Sequence, residues 1–152
     1  MFFIATADSR GHPDCSYKGG LPGFVRVLDD CTLCIPDCDG NGMYRTWGNV
    51  LVNAHVGLLF LDFGQPKRLR VNGVAHVSED DPLRRECPGS VFIVRVTAER
   101  IFPNCTRYLH RRQLVEYSTY APRPDYTPPV PAWKTFAEFR DSLPARDRTD
   151  DP

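Results

Sequence analysis

The stretch DGNGMYRTWGNVLVNAHVGLLFLDFGQPKRLRVNGVAHV, residues 39–77, decides how the rest of the chain is read. Asp39, Gly40, Asn41 and Gly42 form a turn cluster with open backbone N–H groups, a shape that can face an anion. From Met43 to Val52 the apolar residues Met43, Tyr44, Trp47, Val50 and Leu51 recur at three- and four-residue steps, the spacing of one helix face. The turn therefore feeds a helix N-terminus, where unpaired N–H groups and the helix dipole favour a phosphate. Val56 to Phe63 is a short apolar run between turn residues and predicts a strand covered on both faces. After the turn Gly64-Gln65-Pro66, Leu69, Val71, Gly73, Ala75 and Val77 alternate with Arg68, Arg70, Asn72, Val74 and His76. That period of two predicts a strand with one apolar face and one carrying two arginines. Together these elements read as one wall of a polar-lipped pocket.

Working outward, the N-terminal side predicts a hairpin over residues 2–18, a strand Phe24–Leu28 and a strand Thr32–Ile35 closed by Pro36. On the C-terminal side a helix-start signal at 78–83 precedes a long strand Ser90–Ile101. Seven short strands with no long helices between them favour a closed or split barrel over a doubly wound sheet. Tyr108–Tyr117 reads as a helix. Beyond it, half of the 14 prolines fall at or after Pro122, so residues 121–133 predict an extended arm carrying Tyr126 and Trp133. A helix-like segment Lys134–Leu143 follows. Residues 1–143, arm 121–143 included, are expected to form one domain, with 144–152 a disordered tail.

The 152 residues carry 19 basic and 19 acidic side chains, so no global field recruits nucleic acid or an anionic membrane. No segment approaches the length of a transmembrane span and Met1–Ala5 is too short for a signal peptide. Six cysteines without an export signal read as thiols of a cytoplasmic protein.

Cys31, Cys34 and Cys38 have a spacing that invites a metal, but Cys31 and Cys34 are an odd number apart in a strand and no fourth ligand follows. No metal site is expected. The histidines show no paired spacing, and Ser16 and Ser90 lack a nucleophile elbow. Lys18-Gly19-Gly20 offers a cation and bare backbone. With Arg45 in the helix and Arg68 and Arg70 on a strand, it suggests a phosphate-bearing ligand with a flat apolar part. The alternative is that these cations merely pair with Asp37, Asp39 and Asp62.

The blocks PDCSYKGGLPGFVRVLDDCTLCIPDCDGN (13–41), GNVLVNAHVGLLFLDF (48–63), RLRVNGVAHV (68–77) and AERIFPNCTRYLH (98–110), in that order, resemble the pyridoxamine 5'-phosphate oxidase-like family of FMN-binding split barrels. The resemblance runs from Phe2 to about Leu143. It implies a mostly β fold, a six-stranded antiparallel split barrel, and a homodimer with one FMN in each of two interface grooves. It further implies that Lys18, Arg45 and Thr46 hold the FMN phosphate and that Ser16 and Asp37 lie near the ring. Asn41 and Met43 would shape the turn over the flavin, Arg68 would approach the ring's polar edge, and Trp133 would lie over the partner's flavin. The C-terminal Arg-x-His-type block that grips a substrate phosphate in true pyridoxamine phosphate oxidases is not found, so vitamin B6 oxidation is not the expected activity. Relatives carry a helix before the first barrel strand, and its loss is expected to weaken dimer or flavin binding. The expected function is redox transfer to a small-molecule substrate. The other readings are a non-catalytic flavin- or haem-binding module and a deazaflavin-dependent reductase; no dinucleotide fingerprint G-x-G-x-x-G is present.

Overall fold

The computed structural model describes residues 1–38 and 40–148, so Asp39 of the expected turn cluster and residues 149–152 of the expected tail lie outside the described residues. Seven strands build one antiparallel sheet: β1 (Phe2–Ala7), β2 (Pro13–Lys18), β3 (Arg26–Val27), β4 (Thr32–Cys38), β5 (His55–Asp62), β6 (Lys67–Ser78) and β7 (Ser90–Pro103). Their order across the sheet is β2-β1-β5-β6-β7-β4-β3, with one helix, α1 (Arg45–Val52), inserted between β4 and β5.

The strand pairings fix which side chains share a face. Phe2 opposes Lys18 and Phe60, Leu58 opposes Val71, Ala75 opposes Val96, and Val94 opposes Ile35. Directly opposed residues point to the same side of a sheet, so this set traces one continuous inner face from β2 to β4. Phe2, Ile4, Leu58, Val94 and Val96 are fully buried there with Ile35, although β1 and β4 stand four steps apart in the sheet order. The sheet has therefore curled on itself around a shared core without closing, and a seam remains between β2 and β4. It is a split barrel of seven strands rather than the expected six, counting the two-residue β3.

α1 lies over one end of the core, burying Thr46, Trp47 and Val50. The helix starts two residues later than its apolar spacing predicts, because Tyr44 takes a left-handed φ of 48° and the Asn41 side chain accepts the Met43 N–H at 3.1 Å. Met43 and Leu51, expected on the buried face, are exposed.

Other departures have local causes. β4 runs through Pro36 because β3 ends before it and a neighbour stands there on one side alone, where a missing N–H is tolerated. Phe24 and Val25 pack on the core from a turn instead of a strand. β5 is covered on one face only: Val56 and Leu58 are buried, while Leu59 and Leu61 on the outer face are partly open. Tyr108–Tyr117 forms no helix; Leu114 and Val115 find no surface to pack on, and isolated turns of that length are marginal in water. The arm over 121–133 is free of helix and central strand up to Ala132, as its prolines dictate. The segment after it folds as two 3-10 turns, Ala132–Thr135 and Ala137–Ser142, split by extended Phe136. At the start of the expected tail Ala145–Asp147 is a further 3-10 turn, and Asp147 pairs with Lys134 at 3.1 Å.

On the outer face Cys34, Cys87 and Ile93 form a small second core under the 3-10 turn Pro82–Glu86. Asp81 caps that turn by accepting the Leu83 N–H and receives two bonds from Arg95 on β7, at 2.6 and 3.2 Å.

Candidate functional site

The period of two in β2 places Asp14, Ser16 and Lys18 on the inner face, opposite Thr6, Ile4 and Phe2. Asp37 lies on the same face of β4, opposite Phe92. Across the seam between them, the loop after β4 and the first turn of α1 close a cleft of about 230 Å³. Of the nine predicted site residues, Ser16, Lys18, Asp37, Asn41, Met43, Arg45 and Thr46 line it.

Trp47 sits at the centre. Its indole Nε1–H donates to Asp37 Oδ1 at 2.5 Å, and the Lys18 ammonium stands 4.8 Å from the ring centroid. Burial pushes the Lys18 pKa down from its ordinary value, opposed by the negative charges of Asp37 and Asp14. Among the described residues Lys18 has no ion-pair partner within 4.0 Å; Arg45 instead takes Asp14, at 3.3 Å. Of the alternative pairings with Asp37, Asp39 and Asp62, Asp39 lies outside the described residues, and among the described residues Arg45 pairs with Asp14. Among the described residues no side-chain cap bond is made at the N-terminus of α1, and no acidic residue stands in its first turn. A half-desolvated ammonium, a guanidinium and uncapped helix N–H groups converge on one small cleft, and that donor set suits a phosphate.

Gly19 and Gly20 serve a different end from the bare anion cradle their sequence suggests. A Cβ on Gly20 would stand 2.5 Å from the Phe24 ring, and one on Gly19 2.8 Å from the Tyr17 ring. The two glycines let aromatic side chains fold back over the β2–β3 connection.

Arg68 and Trp133 do not join the cleft. Arg68 opposes Leu61 and so lies on the outer face of the sheet, with its Nε buried and without a hydrogen-bond partner among the described residues. Trp133 packs edge-on against Phe139, centroids 6.1 Å apart. Asp14 and Trp47 are among the lining residues that escaped the sequence reading. Asp14 could have been found by extending the alternation of Ser16 and Lys18 by one step, whereas Trp47 reads only as a core residue of a helix face.

Beyond Lys18 and Asp37 the seam opens into a second, larger cleft of about 1900 Å³, lined by the inner faces of β5–β7, by Phe24, and by residues between Arg111 and Pro122, ahead of and at the start of the arm. Among the described residues no group of three or more His, Cys, Asp or Glu side chains converges as a metal site. No helix among them is long and apolar enough to cross a membrane.

The architecture and site define an antiparallel split barrel with a cleft in its seam that is lined by Lys18 and Arg45. The family model for pyridoxamine 5'-phosphate oxidase matches residues 1–117, and the chain belongs to that family. HupZ of Group A Streptococcus shares the fold, with 20% identity over 68% of this chain and 88% of its own and a TM-score of 0.56. A candidate pyridoxamine 5'-phosphate oxidase of Lactobacillus delbrueckii is 25% identical over 66% of this chain and 82% of its own, with a TM-score of 0.52. Another from Listeria innocua is 17% identical over 67% and 86%, with a TM-score of 0.51. No curated protein sequence matches the chain.

Proposed function

We propose that the protein binds a flavin, FMN, and works as an oxidoreductase on a small-molecule substrate. The observation that carries this reading is the convergence of Lys18, Arg45 and the uncapped N-terminus of α1 on one cleft in the seam. Those groups would hold the phosphate, with Thr46 and Ser16 beside them, and the apolar cleft continuing past Lys18 and Asp37 would receive the ring. When bound, FMN supplies the redox chemistry. The chain's own residues bind, orient and desolvate: Lys18 presents a positive charge shielded from water on one side by Trp47, and Asp37 is fixed by the indole N–H.

The working unit in this proposal is a homodimer. Arg68 stands on the face opposite the phosphate corner, beside the half-covered Leu59 and Leu61, so a second copy docked on that face is what would carry its guanidinium to a flavin edge. Six free thiols fit a cytoplasmic setting.

The test is the absorption spectrum of the purified protein, then titration with FMN followed by Trp47 fluorescence, with mass measured in solution. Flavin bands or saturable quenching that needs Lys18 support the reading. A colourless protein that fails to bind added FMN overturns it. Bound flavin that NAD(P)H and artificial acceptors never turn over would leave a flavin-binding module, and exclusive binding of a deazaflavin would transfer the site to that cofactor.

A further inference from the structure

We infer that the large cleft beyond Lys18 is a substrate chamber for an uncharged, multi-ring apolar molecule, a deepening that rests on the flavin reading above. The inner face of β6 and β7 changes character along its length. Val71 and Ala75 are buried at 3% and 4% exposure, yet Leu69 and Ile101, on the same face, are 38% and 53% exposed and line the cleft. Leaving a large aliphatic side chain in water forgoes about 1.5–3 kcal/mol of burial, and here two do so side by side on what is otherwise the core face. Phe24 and Phe60 continue this wall.

Size and charge narrow the occupant. Sites for single drug-sized ligands hold about 300–1,000 Å³, and this cleft reaches about 1900 Å³, room for the flavin ring and a second ring system. The charged residues around it are Asp29, Asp30, Asp37, Asp62 and Glu116 against Lys18, Arg111 and Arg112. Five acids against three bases oppose an anionic substrate, and the one cation deep in the seam, Lys18, is the one assigned to the phosphate. A phosphorylated pyridine is therefore the wrong class; a neutral, flat, apolar molecule is the right one. Lys18 and Asp37 line both clefts, so a substrate in the chamber would lie directly against the cofactor corner.

Nile red, a neutral multi-ring dye whose emission shifts to the blue in apolar surroundings, is the probe. It should bind the full chain saturably, and Leu69→Arg, at a position already exposed and hence tolerant of the change, should weaken it at least tenfold. Ile101→Arg should act alike, which guards against one variant misfolding. Lys18→Met should weaken FMN and spare Nile red. Absence of saturable Nile red binding, or binding unaltered in both arginine variants, overturns the chamber. Tighter binding of the anionic dye 8-anilinonaphthalene-1-sulfonate than of Nile red overturns the substrate class. Because the dye is read without FMN, failure of the flavin reading alone would leave the Nile red result standing.

Discussion

The Lys18 ammonium rests 4.8 Å from the centroid of the Trp47 indole, whose N–H holds Asp37 at 2.5 Å, so one ring separates the cation of β2 from the carboxylate of β4. Pressed together, the two charges would neutralise each other. With no carboxylate within ion-pair distance of it among the described residues, Lys18 makes a cation–π contact, and the longer-range attraction of Asp37 and Asp14 opposes the lowering of its pKa by burial.

Lys18 and Arg45 should therefore contribute unequally to FMN affinity. Lys18→Met removes a half-buried, unpaired cation and should cost about 1.5–3 kcal/mol, roughly 10- to 150-fold in Kd. Arg45 is 68% exposed and already paired with Asp14, so Arg45→Ala should cost about 1 kcal/mol. Quenching of Trp47 fluorescence reads both, and an equal or reversed ranking would refute the assignment.

The alkaline side of that titration has a definite sign. Burial lowers the Lys18 pKa below its ordinary 10.5, so the ammonium is lost earlier than that of a surface lysine as pH rises. FMN affinity should fall as pH climbs through that lowered value. Lys18→Arg, which stays protonated, should flatten the fall; an unchanged profile in this variant would place the titrating group elsewhere.

Asp81 makes the opposite prediction on the acid side. The Arg95 side-chain bonds hold its carboxyl below the ordinary 3.8, outweighing the effect of burial. A carboxylate with a depressed folded-state pKa contributes stability above the unfolded value and loses it as pH falls through the folded one. Asp81→Asn should cost about 1–3 kcal/mol at pH 7, since Arg95 is 40% exposed and the pair is only half shielded. The gap between the wild type and the variant in urea midpoints should narrow below pH 3.8. A gap constant with pH would mean the ion pair contributes nothing.

Gly73 sits where the β6–β7 register shifts, and a Cβ there would overlap the Thr97 carbonyl oxygen. Since backbone has to move, Gly73→Ala should fall at the upper end of overpacking costs, about 3 kcal/mol and a Tm lower by roughly 6–12 °C. A Tm within a degree of the wild type would show that the bulge is soft.

Trp47→Phe should be destabilising out of proportion to its size change. It loses the charge-assisted bond to Asp37 and volume from a site only 3% exposed, together about 2–4 kcal/mol. Chemical denaturation would measure it, and a loss below 1 kcal/mol would mean the indole N–H is dispensable.

Much of this was legible in the residues. The alternation of Leu69, Val71, Gly73, Ala75 and Val77 fixed an inner and an outer face on β6, and the same period in β2 aligned Ser16 with Lys18. Met43 misled because a hydrophobic period carries no information about the left-handed turn at Tyr44 that starts α1 late. Arg68 shows a related limit: spacing assigns a residue to a face, but which face meets the seam depends on how the whole sheet curls. The supposed helix at Tyr108–Tyr117 had the right residues and no surface to bury them on. Trp47 and Gly20 show the converse, since their roles depend on partners, Asp37 and Phe24, that only the folded chain brings within reach.

A sheet that stops short of closing keeps two edges, each a row of backbone donors and acceptors to which another chain could add a strand. Here both are blunted. β3, at one edge, is two residues long, too short to template a partner. β2, at the other, opens with Pro13, which has no N–H to offer, and closes with the charge of Lys18. The lysine assigned above to a ligand's phosphate thus also places a charge at the rim of the sheet, one of the devices that discourage a neighbouring chain from adding a strand there.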